Sequence, residues 1–134
     1  MSVEQNKALV HAYFQAITEN RMADAWRLIA DDVVWAIGGH SPLAGTYTRE
    51  QLAKLQGAIL ARIVGGIRID VGRVIGEGDL VAAELTSTGK LSDGRVYNNN
   101  YLFMLTIKDG KFWRCTEYLD TYHYDEVFGS AARL

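Results

Sequence analysis

The feature that most constrains this chain is a change of hydrophobic period near its midpoint. Up to Ile63, apart from the β-rich run Val33–Ile37, the apolar side chains recur every three or four residues; from Gly66 onward they recur every two. Helices come first and strands afterwards, with no βαβ alternation. That order predicts an α+β fold in which the helices cover one face of a sheet.

The helical half divides into three. Residues 3–19 place Leu9, Val10, Tyr13, Phe14 and Ile17 on one face, while Glu4, Lys7, Gln15 and Glu19 fall elsewhere. After Asn20, the segment MADAWRLIA sets Met22, Trp26 and Ile29 on one stripe ahead of Asp31-Asp32, predicting a short second helix. Thr48 and Gln51 match a capping box, and Leu52, Leu55, Ile59 and Ile63 follow at helical steps until Gly65-Gly66 ends the third helix. Between the second and third helices, Val33 to Ile37 predicts a strand. It opens at Gly38-Gly39 into an irregular loop, His40 to Thr46.

In the second half, four strands are predicted around Ile67–Val71, Val81–Leu85, Tyr97–Ile107 and Phe112–Leu119. Gly76-Glu77-Gly78, Ser92-Asp93-Gly94 and Lys108-Asp109-Gly110 separate them with hairpin turn chemistry, so an antiparallel meander is expected. No repeat or linker interrupts the 134 residues, and a chain 49% hydrophobic and 22% charged can bury a core of its own. One domain over residues 1–134 is expected.

Several function classes are disfavoured by the same inventory. A net charge of −2 with scattered Lys and Arg gives no basic stripe for nucleic acid. No apolar run approaches the roughly 20 residues that span a bilayer, and MSVEQNKALV lacks a signal-peptide pattern. A cytoplasmic protein is expected, bound to neither nucleic acid nor membrane. Cys115 is the single cysteine, which rules out an internal disulfide, and no Cys/His spacing suits zinc. A meander with two partly apolar faces needs two covers; the helices supply one, so the outer face is expected to pair with a second copy as a homodimer.

The most informative residue is an acid in apolar company. On the last strand the odd positions are Trp113, Cys115, Glu117 and Leu119. A carboxyl on such a face is desolvated, which raises its pKa toward the range of proton transfer, so Glu117 is the leading catalytic candidate. On the preceding strand, Tyr97, Asn99, Tyr101, Phe103 and Leu105 share one parity, but both faces mix polar and apolar residues and the pattern alone does not choose between them.

These segments resemble a known family. YFQAITENRMADAWRLIADDVVWAIGG, HSPLAGTY, KDGKFWRCTEYLD and DEVFG follow the run of SnoaL-like proteins over nearly the whole chain. The resemblance implies an NTF2-like cone: a curved antiparallel sheet packed against three N-terminal-half helices around one pocket. Against the limonene epoxide hydrolases of that superfamily, Glu117 falls where they carry a functional Asp. Trp35 and Ile37 stand in place of their Tyr and Asn, however, and Glu84 and Thr86 in place of their Arg and Asp, which argues against epoxide hydrolysis. Against the ketosteroid isomerases, Tyr13 falls near the oxyanion-hole tyrosine, while Ile37 and Phe103 stand where those enzymes carry acids. SnoaL-type cyclases fit better, since they use an acid/base group in a hydrophobic pocket with neither metal nor organic cofactor.

The resemblance therefore implies a cofactor-independent acid–base enzyme of cyclase, isomerase or dehydratase type, acting on a small hydrophobic substrate of polyketide, steroid or terpenoid kind. The alternative is a non-catalytic binding or accessory protein of the same fold. Glu117 would be base or acid, assisted by Tyr13 or by His40 at the pocket mouth. Glu84 would form a second carboxylate if the family overlay turns it inward, whereas the apolar parity of Val81, Ala83 and Leu85 turns it out. Trp35, Ile37, Tyr101, Phe103, Trp113, Cys115 and Leu119 would wall the pocket, and Asn99 could bond a ligand carbonyl. His11, His123 and Asp120 are read as structural or surface residues.

Overall fold

The computed structural model describes residues 1–129. Helix α1 (Val3–Thr18) starts at a capping box in which Ser2 and Gln5 satisfy each other's backbone amides, and it buries Val10, Tyr13 and Phe14. Helix α2 (Met22–Arg27) is shorter than its sequence pattern suggests: Ile29 and Ala30 already belong to strand β1 (Ile29–Ile37), where Ile29 pairs with Phe112. A buried strand position claims Ile29 more strongly than a weak two-turn helix does.

The predicted loop contains a short strand, β2 (Gly45–Tyr47), which the sequence pattern did not reveal. Helix α3 (Arg49–Leu60) begins at the expected Thr48/Gln51 box. It ends before Gly65-Gly66, and those glycines lie inside the long strand β3 (Ile63–Glu77). Their φ values of +79° and +89° coincide with a break in pairing between Val64 and Arg68, so they form a bulge rather than a helix stop.

Strands β4 (Leu80–Leu91), β5 (Val96–Tyr97), β6 (Asn100–Lys108) and β7 (Lys111–Leu119) follow, and the chain continues into α4 (Thr121–Tyr124) and a π-turn at Asp125–Gly129. Sheet order is β2-β1-β7-β6-β4-β3, with β5 paired to β4. The β3 to β7 pairings are antiparallel as expected, but β1 lies parallel to β7, so the sheet is mixed. No helix among the described residues is long and apolar enough to cross a membrane.

Three cross-strand rows set the inward face. Val81, Leu105, Cys115 and Trp35 lie in one row; Ala83, Phe103, Glu117 and Ile37 in the next; Leu85, Tyr101 and Leu119 in the third. Glu84 lies between two inward positions and therefore points out, as the apolar parity of its strand indicates and the family overlay did not.

Candidate functional site

Helices α1 and α3 close over these rows and leave an apolar cavity of about 120 Å³. Leu52, Leu55, Gln56, Ile59 and Leu60 supply its roof at helical spacing, Tyr13, Phe14 and Ile17 one side, and Trp35, Ile37, Leu85, Tyr101, Phe103 and Leu119 the floor. Glu117 is the acid in this wall.

Its position follows from β7. Glu117 sits opposite Phe103 on one neighbour and Ile37 on the other, so parity aims its carboxyl under the helices. The strand is held to β1 by the Gly38 amide, which donates to the Glu117 carbonyl at 3.0 Å. The Tyr118 ring lies across Gly38, and a Cβ there would come within 2.3 Å of that ring, so a larger residue would have to push the exposed Tyr118 side chain aside.

Glu117 keeps some accessible surface where a cavity-lining side chain should, yet protein surrounds it deeply enough that burial pushes its pKa up to about 7. A hydrogen bond from the Trp35 indole to Oε1, 2.8 Å long, opposes the rise by favouring the carboxylate. The result is an acid divided between its two forms near neutrality, surrounded by hydrocarbon.

Tyr13 also lines the cavity; its hydroxyl accepts a weak bond from Gln56 Nε2 at 3.5 Å, and burial raises its pKa. At the other end Tyr97, Tyr101 and Tyr124 contribute to the wall. Tyr101 donates to the Tyr97 hydroxyl at 2.8 Å and lies 2.9 Å from Ser87 Oγ.

Glu117, Tyr13, Trp35, Ile37, Tyr101, Phe103 and Leu119 are thus brought together, while five expected site residues stand elsewhere. His40 is exposed on the turn beyond Gly39. Glu84 is on the outer face, in a two-point ion pair with Arg73 that holds its carboxyl below the usual range. Trp113 is the unpaired residue of a bulge, since Ile107 pairs with Phe112 and Thr106 with Arg114; this turns Phe112 inward and leaves Trp113 against Lys108 and Arg114. Cys115 is packed in the main core and lies outside the cavity wall, its thiol pushed up by burial.

Asn99 is buried but engaged in full. Its Nδ2 donates to Tyr97 Oη and to the Asp120 carbonyl, and its Oδ1 accepts from the amides of Asn100 and Asp120. No group is left to meet a ligand, so Asn99 is a clip between strand ends. Asp120 accepts from the His123 amide at the start of α4, in keeping with a structural role.

Gln56, Tyr97 and Tyr124 were not anticipated. Gln56 could have been found by the logic that found Glu117, because it is a polar residue on the apolar stripe of its helix, four residues after Leu52. Tyr97 shares the parity of Tyr101, but Tyr124 follows the last strand and carries no periodic signal.

The family model for the SnoaL-like domain matches residues 10–115. No curated protein matches the sequence significantly. Among solved structures, Bal32a from a soil-derived mobile gene cassette is 22% identical over 92% of this chain and 96% of its own, with a TM-score of 0.80. TerC, co-crystallized with polyporic acid, is 21% identical over 91% and 96%, with a TM-score of 0.76. IdmH from Streptomyces antibioticus, described as a proposed polyketide cyclase, is 19% identical over 93% and 99%, with a TM-score of 0.77. At these identities the likeness concerns the fold, which is NTF2-like.

Proposed function

The chain belongs to the SnoaL-like family, and from that premise we propose a cofactor-independent acid–base enzyme that acts on a small hydrophobic substrate of polyketide, steroid or terpenoid type. One observation carries the reading. Glu117 is an isolated carboxyl in an apolar cavity with a pKa of about 7. Burying an acid without full pairing is costly, and the cost is understandable where the group must take up and return a proton at neutral pH.

In this reading the Glu117 carboxylate removes a proton from a carbon beside a carbonyl. The C–H electron pair moves into the enolate, and the new carboxylic acid returns the proton at another position, giving isomerisation, or supports ring closure or loss of water. That IdmH is described as a proposed polyketide cyclase and that TerC was co-crystallized with polyporic acid makes oxygenated rings the first compounds to try.

Thermal unfolding against a panel of such compounds identifies binders, since a ligand at 100 times its Kd adds about 2.7 kcal/mol. Turnover of a binder by the wild type, lost in Glu117→Gln while binding persists, is the expected result. A binder whose affinity alone changes in Glu117→Gln would mark a binding protein instead.

A further inference from the structure

Away from Glu117, the cavity wall contains a directed chain of hydroxyls. The Asn99 amide donates to Ser87 Oγ at 3.2 Å. Ser87 Oγ lies 2.9 Å from Tyr101 Oη, and Tyr101 donates to Tyr97 Oη at 2.8 Å, where Asn99 Nδ2 donates as well at 3.0 Å. Ser87 and Asn99 are buried almost completely.

Counting protons shows what this arrangement leaves over. Tyr101 has one hydroxyl proton, given to Tyr97, so Ser87 must donate to Tyr101. Tyr97 Oη then accepts two hydrogen bonds, from Tyr101 and Asn99, and both of its lone pairs are used. Its own proton has no acceptor among the described residues. Two donors into one oxygen polarise that remaining O–H and make it a stronger donor than an isolated phenol. His123 stacks flat on the Tyr97 ring, 5.6 Å between centroids, and Asn98 donates to His123 Nε2 at 3.1 Å, so the ring is fixed in place.

We propose that Tyr97 is a substrate-binding residue whose hydroxyl donates to a carbonyl oxygen on a single apolar ring held in this cavity, with Tyr101, Ser87 and Asn99 as positioning residues behind it. The ring size follows from volume: an apolar cavity of roughly 150 Å³ accepts benzene, and this one measures about 120 Å³. A larger substrate would place one ring here and extend outward. The proposal rests on the cavity being the substrate site, but it does not depend on Glu117 being catalytic.

Cyclohexanone and methylenecyclohexane test it, since they share a shape and differ by an oxygen acceptor. Both are titrated by NMR at pH 9, where Glu117 is ionised and cannot act as a donor, while burial keeps Tyr97 protonated. The wild type should prefer the ketone by about tenfold, the size of one hydrogen bond, and the carbonyl infrared band of bound ketone should shift to lower frequency. Tyr97→Phe should bind both probes alike with no band shift. Retained methylenecyclohexane binding then shows that the pocket is intact. Tyr101→Phe, which removes one polarising donor, should keep a reduced preference.

Equal binding of the two probes by the wild type, or an undiminished preference in Tyr97→Phe, overturns the role of Tyr97 and leaves the Glu117 reading standing. Failure of both probes to bind the wild type overturns the single-ring site proposed here, and the Glu117 reading is then decided by its own ligand panel. Turnover retained in Glu117→Gln, with the ketone preference intact, overturns the Glu117 reading and leaves the role of Tyr97 standing.

Discussion

The Trp35 indole N–H donates to Glu117 Oε1 at 2.8 Å, across a diagonal of the parallel β1–β7 pair in which Trp35 sits opposite Cys115 and Ile37 opposite Glu117. This is the link the sequence could least have suggested, because it depends on β1 lying beside β7. Diagonal neighbours in a sheet are within reach of long and aromatic side chains. Here that reach supplies the donor that moderates the rise in the Glu117 pKa.

Replacing Trp35 by Phe removes the donor and keeps most of the ring. The carboxylate loses its stabilising bond while its burial remains, so the Glu117 pKa should rise further above 7. A carbon-13 titration of the labelled glutamate carboxyl reads this directly, and a downward shift would contradict the account. Stability should fall by less than the about 3–5 kcal/mol typical of truncating a buried tryptophan to alanine.

The pH dependence of stability carries a sign that identifies Glu117. Its folded pKa of about 7 lies above the ordinary value of 4.5, so between those two pH values the folded chain keeps a proton that the unfolded chain has released. The unfolded state binds fewer protons, and stability falls as pH rises through that window. A shift of this size corresponds to about 3 kcal/mol at 1.36 kcal/mol per unit. Denaturant unfolding from pH 4 to 8 should show this loss in the wild type relative to Glu117→Gln. Parallel curves for the two proteins would mean that the carboxyl is not desolvated as the structure places it.

Glu84 offers the converse case. Two inward carboxylates would have repelled each other and divided into an acid and a base, but Glu84 is exposed and joined to Arg73. The Glu84→Gln protein should therefore show the wild-type Glu117 titration and the wild-type stability curve across neutral pH. A displaced Glu117 titration would mean that the two carboxyls interact.

The residues that were legible in the sequence were those governed by period. Helix α3 and its capping box, the inward parity of Glu117 and Leu119, and the outward parity of Glu84 all follow from counting by 3.6 or by two, whereas the inward face of Phe103 came only from the family resemblance. The residues that were not legible depend on departures from period or on contacts between distant segments. A bulge rotates Trp113 away from a face it would otherwise share with Cys115. Asn99 looks like a free amide on a strand until the Asp120 backbone and the Tyr97 hydroxyl arrive from elsewhere to use it. His40 follows a strand end that points toward the cavity, but the turn at Gly39, with φ of +99°, carries it into solvent.

The outer sheet face yields the last prediction. Leu102, Met104 and Tyr118 are 44%, 45% and 54% exposed there, and cross-strand pairing places them together: Leu102 opposite Tyr118, and Met104 between Ala82 and Thr116. Three large apolar side chains on neighbouring strands form a patch of the kind that marks an interface. We propose that it pairs two copies of this chain about a twofold axis, which would place the same patch on both sides. Sedimentation equilibrium at micromolar concentration should then give twice the chain mass of 14.9 kDa. In Met104→Glu each copy would bring a carboxylate into an apolar contact where it has no partner, so the mass should fall to that of one chain. Because Met104 is exposed in the single chain, circular dichroism of the variant should match the wild type. A wild type that sediments as one chain would show that this face meets water or a different partner.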